Sequence, residues 1–191
     1  MALTKVQAGM VEATGTPSSS TFLRGDGTWS TAGGITSGTA VASTSGTSID
    51  FTGIPSTAKR ITVMLTGVSL SGTSLMQVQI GVGSTPTTSG YSSGSTYALI
   101  NSSGTSGGTS TAGFVIFGNA ATYLISGHMV ITNISGNNWV ESGVIYNSAT
   151  TPYTGQHAGF GSLSGALGMI RLTTVNGTDT FDAGTVNIMW E

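Results

Sequence analysis

The stretch "RITVMLTGVSL", residues 60–70, decides the fold class. Ile61, Val63 and Leu65 fall on one side of an extended strand and Thr62, Met64 and Thr66 on the other, the period-two spacing of a strand with one buried face. The same kind of short β-rich run returns along the chain as TSIDFTGI (47–54), LMQVQIGV (75–82), AGFVIFG (112–118), TYLISGHMVITNI (122–134), NWVESGVIYN (138–147), LGMIRLTTV (167–175) and TVNIMWE (185–191). SGT at 71–73, SGNN at 135–138 and NGTD at 176–179 read as hairpin turns, with glycine supplying positive φ. No window sustains an apolar stripe at helical spacing, and glycine interrupts nearly every candidate at about 1 kcal/mol per position. About eight to ten strands of this kind predict an all-β fold, an antiparallel, jelly-roll-like β-sandwich over residues 36–191.

Composition narrows the function classes. Only 6% of residues are charged, against about a quarter in an average soluble domain. Thirty glycines could suggest disorder, but disorder pairs low hydrophobicity with high charge, and this chain has neither. A net charge of −2 supplies no basic stripe for phosphates, so nucleic acid is not an expected partner. No run reaches the roughly 20 apolar residues of a spanning helix, so membrane insertion is not expected either. The start, MALTKVQAGM, carries a lysine but no apolar run of signal-peptide length, so secretion by that route is not indicated. With no cysteine, disulfides and thiolate metal sites are excluded, and stability has to come from packing or from association of identical copies.

Catalytic constellations are hard to build from two histidines and seven carboxylates. His128 lies in a strand pattern and reads as a partly buried structural residue, and His157, in TGQHAGF, as a surface-loop residue. Glu141, Asp179 and Asp182 form no recognisable carboxylate pair. There is no nucleophile elbow, and the glycine-rich stretches lack the lysine of a phosphate-binding loop. No catalytic residue, no metal and no cofactor is therefore expected; a small β-sandwich glycan hydrolase is the enzymatic alternative. Three long loops are expected at 83–97, 102–113 and 148–164, the kind of segment on which rigid β-scaffolds display binding residues. Tyr91, Tyr97, Tyr153 and Gln156 in them are the candidate ligand-contacting residues, because each pairs an apolar or flat face with a polar group. Trp139 opens a strand and reads as a packing or interface residue.

Residues 1–35 have too few large apolar side chains to offset the entropy of ordering them alone, and form a candidate N-terminal arm that must dock onto something. Its centre is an attachment and turn motif of Phe22, Leu23, Arg24, Gly25, Asp26, Gly27 and Trp29. Gly25-Asp26-Gly27 signals a turn in which Asp26 bonds local backbone or pairs with Arg24. The flanking aromatic side chains are then free to pack against a neighbour.

The segment PSSSTFLRGDGTWS, residues 17–30, closely resembles one that recurs in bacteriophage tail-fibre and related virion fibre proteins. Residues 47–72 and 184–191 also look like the compact β-domain that follows it there, whereas the middle, from about residue 83 to 176, matches nothing in that family. The resemblance implies a non-enzymatic virion structural protein, commonly a homotrimer, made in the host bacterial cytoplasm and assembled onto the particle. Residues 1–35, as an attachment and trimerisation arm, would attach to a phage tail or capsid protein. The β-sandwich head would face outward as a candidate receptor for a host cell-surface glycan, with Tyr91, Tyr97, Tyr153 and Gln156 as the candidate glycan-binding residues, their rings on sugar faces and the amide on hydroxyls. Only about thirty-five residues precede the head, which favours a short tail fibre or spike over a long fibre; a head fibre or capsid decoration (cement) protein is the alternative.

Overall fold

The computed structural model describes residues 14–31, 33–100, 103–118, 120–148 and 152–191. Residues 1–13, the beginning of the expected arm, lie outside the described residues, as do parts of two of the expected long loops. The chain divides into two compact units, Met1–Ile35 and Thr36–Glu191.

In the first unit, β1 (Thr21–Leu23) and β2 (Trp29–Thr31) form an antiparallel hairpin in register Leu23 with Trp29 and Phe22 with Ser30. Its turn is closed by backbone bonds from Arg24 to the Thr28 carbonyl (2.8 Å) and from Gly27 to the Arg24 carbonyl (3.0 Å). Gly27 takes φ 77°, a conformation open to glycine at little cost. Asp26 Oδ1 accepts from the Thr28 amide (3.1 Å) and hydroxyl (2.6 Å), and these bonds, the hydroxyl first, hold its carboxyl below the ordinary range. Arg24 Nε stands 3.6 Å from Asp26 Oδ2. Thr14 adds a bridge along β2, donating to the Gly27 carbonyl and accepting from the Trp29 amide.

The second unit consists of strands alone among its described residues: β3 (Thr36–Ser37), β4 (Val41–Ala42), β5 (Ser48–Thr52), β6 (Arg60–Leu70), β7 (Met76–Val82), β8 (Thr85–Pro86), β9 (Tyr91–Leu99), β10 (Thr105–Ser110), β11 (Phe114–Ile116), β12 (Ile125–Ser135), β13 (Asn138–Asn147), β14 (Tyr153–Ser162), β15 (Leu167–Thr174) and β16 (Phe181–Trp190). A nine-stranded sheet runs β10-β9-β14-β13-β12-β6-β16-β3, with β4 also on β16. A five-stranded sheet runs β11-β7-β15-β5, with β8 on β7. Every ladder in both is antiparallel.

The alternation read in residues 60–70 sets the packing. Ile61, Val63 and Leu65 join one core with Ile131, Ile145, Tyr153 and Ile188 from the large sheet and Phe51, Val78, Ile80, Phe114, Ile170 and Leu172 from the small one. Burying each such side chain is worth about 1.5–3 kcal/mol.

Several expectations change. SGNN at 135–138 is a hairpin between neighbours β12 and β13, with Gly136 at φ 54°. SGT at 71–73 and NGTD at 176–179 are not hairpins: each carries the chain from one sheet to the other. These two connections clasp one another. Ser74 donates its amide to Asp179 Oδ2 (2.8 Å), Asn176 Nδ2 donates to Asp179 Oδ1 (2.8 Å), and the Asn176 amide donates to Ser74 Oγ (3.1 Å). The Asn176 and Ser74 bonds hold the Asp179 carboxyl below its ordinary range.

The expected long loops are largely strands. β9 fills the end of the first, β10 half of the second and β14 most of the third. Serine does in β9 what a large apolar residue does elsewhere. Ser93 Oγ donates to the Gly113 carbonyl (2.7 Å) and accepts from the Val115 amide (3.1 Å), and Ser95 Oγ accepts from the Phe117 amide (2.9 Å). The edge strand β11 thus has backbone groups satisfied by side chains of the other sheet.

Candidate functional site

The outer face of the large sheet is legible by register. One row across the strands reads Thr96, Gln156, Val144, His128 and Met64, and the next reads Gly94, Ala158, Ser142, Val130 and Thr62. Side chains in the second row are short on β9, β14 and β13, so the sheet surface dips there. The result is a groove of about 590 Å³ lined by Gly94, Thr96, Gln156, Ala158, Ser142, Val144, His128 and Val130, with Gly143 and His157 in its floor. One position further along β13 on the same face stands Tyr146, 43% exposed; on the other flank, beyond Ala158, stands Phe160, 56% exposed. Two aromatic rings therefore border a trough in which two hydroxyls, an amide and an imidazole alternate with valines and an alanine.

The groove adjoins a depression of about 410 Å³ through shared Thr96 and Gln156, and this one reaches Thr105 and Ser106 of β10. On the other side it adjoins one of about 540 Å³ through shared His128 and Val130, reaching Thr62 and Met64 of β6 and Met189 of β16. Among the described residues, Arg60, at that far end, is the sole one with a charged side chain lining the three hollows apart from the histidines, and its guanidinium lies 3.1 Å from Glu191 Oε1.

Directly beneath, on the inner face, lies a polar pair in the core. His157 Nδ1 and Glu141 Oε1 are 2.5 Å apart, and both side chains are fully buried. His157 belongs to β14 and is not the surface-loop residue expected; odd-numbered residues of β14 point inward, and it is one of them. Its ring occupies the space over Gly143, where a Cβ would meet both Cε1 and Nε2. His157 Nε2, Glu141 Oε2 and Trp139 Nε1 have no hydrogen-bond partner among the described residues. Sealed from solvent, the pair has no access to a substrate and reads as part of the interior. His128, expected to be partly buried, faces outward and is exposed.

The candidate glycan residues separate. Gln156 is exposed and lines the groove. Tyr91 and Tyr153, expected on loops, are core residues with 5% and 0% exposure, and a ring without free surface cannot stack on a sugar. The Tyr91 hydroxyl accepts from the Ile80 amide (2.9 Å) and reaches the Ile80 and Thr87 carbonyls (both 3.0 Å). The Tyr153 hydroxyl donates to the Phe117 carbonyl (3.2 Å). Burial pushes both hydroxyls far above the ordinary phenol range, with Tyr123 and Tyr97 adding to the effect at Tyr153. Tyr97 is half-buried, with ring centroids 4.5 Å from Phe117 and 4.7 Å from Tyr153. Trp139 is buried packing, 3% exposed.

Sequence reasoning missed Val144, Tyr146, Phe160 and His128. A signal for them existed: NWVESGVIYN carries apolar residues at both parities, Val140, Val144 and Tyr146 against Trp139 and Ile145, so neither face of β13 is simply solvated.

In the N-terminal unit, Phe22 and Leu23 are 48% and 38% exposed, Arg24, Gly25 and Asp26 form the exposed turn, and Gly27 and Trp29 are half-buried. Comparison of the chain with protein-family models, with curated proteins and with solved structures finds no match.

Proposed function

We propose that the chain is a virion structural protein of a bacteriophage, a short homotrimeric tail fibre or spike. Residues 1–35 are its attachment arm, and residues 36–191 are a jelly-roll-like head that holds a host-surface glycan in the outer groove. The observation that carries the proposal is the segment Pro17–Ser30: its turn is locked by Asp26 and Thr28, and its strand leaves Phe22 and Leu23 exposed beside it. Exposed apolar side chains on a rigid turn suit docking onto a larger protein, since burying them is worth about 1.5–3 kcal/mol each. The groove suits a sugar because its walls mix two hydroxyls and an amide with Val130, Val144 and Ala158, and aromatic rings stand at the margins.

Electron microscopy of particles labelled with an antibody to the C-terminal unit tests the assignment. Label at the tail tip or tail side is the expected result. Label distributed over the capsid assigns the chain to the head-fibre or decoration class instead, and absence of label from particles refutes both.

A further inference from the structure

Resting on the reading of the head as a glycan-binding module, we infer that its ligand is an extended, uncharged saccharide chain of several units lying across the strands, and not a single terminal sugar or an acidic polymer. Three observations carry this. The hollows at β10-β9-β14, β9-β14-β13-β12 and β12-β6-β16 share walls, so the depression crosses seven strands in succession. At about 4.8 Å between neighbouring strands, six intervals make a path of about 29 Å. Among the described residues, its lining from β10 to β12 holds no Lys, Arg, Asp or Glu, and Arg60 at the far end is engaged with Glu191. An acidic chain would have to leave its counter-ions or its water without compensation from the protein.

Tyr146 and Phe160 stand one register step outside the central hollow, on opposite sides of the path. They can cover the apolar faces of successive units while Gln156 and the hydroxyls of Thr96 and Ser142 meet the ring hydroxyls.

Calorimetric titration of the full-length protein with neutral gluco-oligosaccharides of graded length, with a panel of neutral bacterial surface oligosaccharides, and with oligogalacturonate as the acidic counterpart tests the inference. Affinity for a neutral series should rise roughly ten-fold or more between short and long members before reaching a plateau. Thr62→Trp, which obstructs the β6 end, should remove the gain from length; Gln156→Ala should weaken all. Equal affinity for short and long members, or acidic oligomers bound as well as neutral ones, overturns the inference while sugar binding by the head survives. Failure of every neutral member to bind overturns both. The length series needs no variant, so a Thr62 or Gln156 substitution that misfolds leaves the test intact.

Discussion

Gly143 has no side chain, and the His157 ring takes the space that one would fill. Gly143→Ala therefore forces the ring away from Glu141 or the strand away from β12, and should cost about 1–3 kcal/mol, read as a shift in the denaturant midpoint. Removing either member of the buried pair is worse. Glu141→Ala or His157→Ala strands the remaining polar group in the core and should cost about 3–5 kcal/mol, whereas replacing both with apolar residues of similar volume should recover most of that loss. Equal losses in the single and double variants would show that the pair is not coupled. Tyr91 and Tyr153, whose hydroxyls are raised by burial, should not ionise before the head unfolds; alkaline titration followed by tyrosinate absorbance would register them only with the loss of folded signal.

Among the elements, β6 and β13 were legible to the residue, β6 because Ile61, Val63 and Leu65 alternate with residues of the outer face, β13 because its β-prone run is bounded by asparagines and turn residues. β9, β10 and β14 were not. Their inward positions hold Ser93, Ser95, Gly155, Gly159 and Gly161 beside a few tyrosines and a histidine, so the apolar signal that marks a strand is missing and turn-forming residue types stand in its place. What made them strands is non-local: β14 lies between two ladders, and the β9 serines bond the backbone of β11. Ser93→Ala should thus cost about 1–3 kcal/mol through the orphaned Val115 amide, although no apolar contact is lost. The groove was only partly legible for the same reason: Gln156 was picked for its residue type, but the row joining it to Val144 and His128 exists only once β14 is a strand. The two inter-sheet connections were misread as hairpins because turn chemistry is local while the choice of sheet is not. Asp179 holds them together. Its folded pKa lies below the ordinary 3.8, so its contribution is present above that value and is lost as pH falls through the lower folded value. Acidification below about pH 3.8 should loosen the clasp, and Asp179→Asn should flatten that part of the stability profile; an unchanged acid limb would contradict the role.

For the molecule as a whole, every described residue of the large core comes from within residues 36–191. That unit should fold when produced without residues 1–35, give the same β-type circular dichroism, and fail to join particles; collapse of the truncated protein would contradict the division of labour. If identical copies supply the stability that so weakly charged a surface forgoes, sedimentation of the full chain at micromolar concentration should find a trimer. The two units take their order from different sources, a local turn in one and long-range ladders in the other. The register of the large sheet has a further result for biosynthesis. β6 is flanked by β12 and by β16, and Ile61 pairs with Trp190. A nascent chain emerging from the ribosome can assemble the β12-β13-β14 meander early, but β6 keeps a bare margin until residues up to Trp190 have cleared the exit tunnel. Closure waits for that distant segment and is slow, as expected for a topology dominated by distant pairings, and the interval before it is when a chaperone or a proteolytic quality-control system would meet this protein.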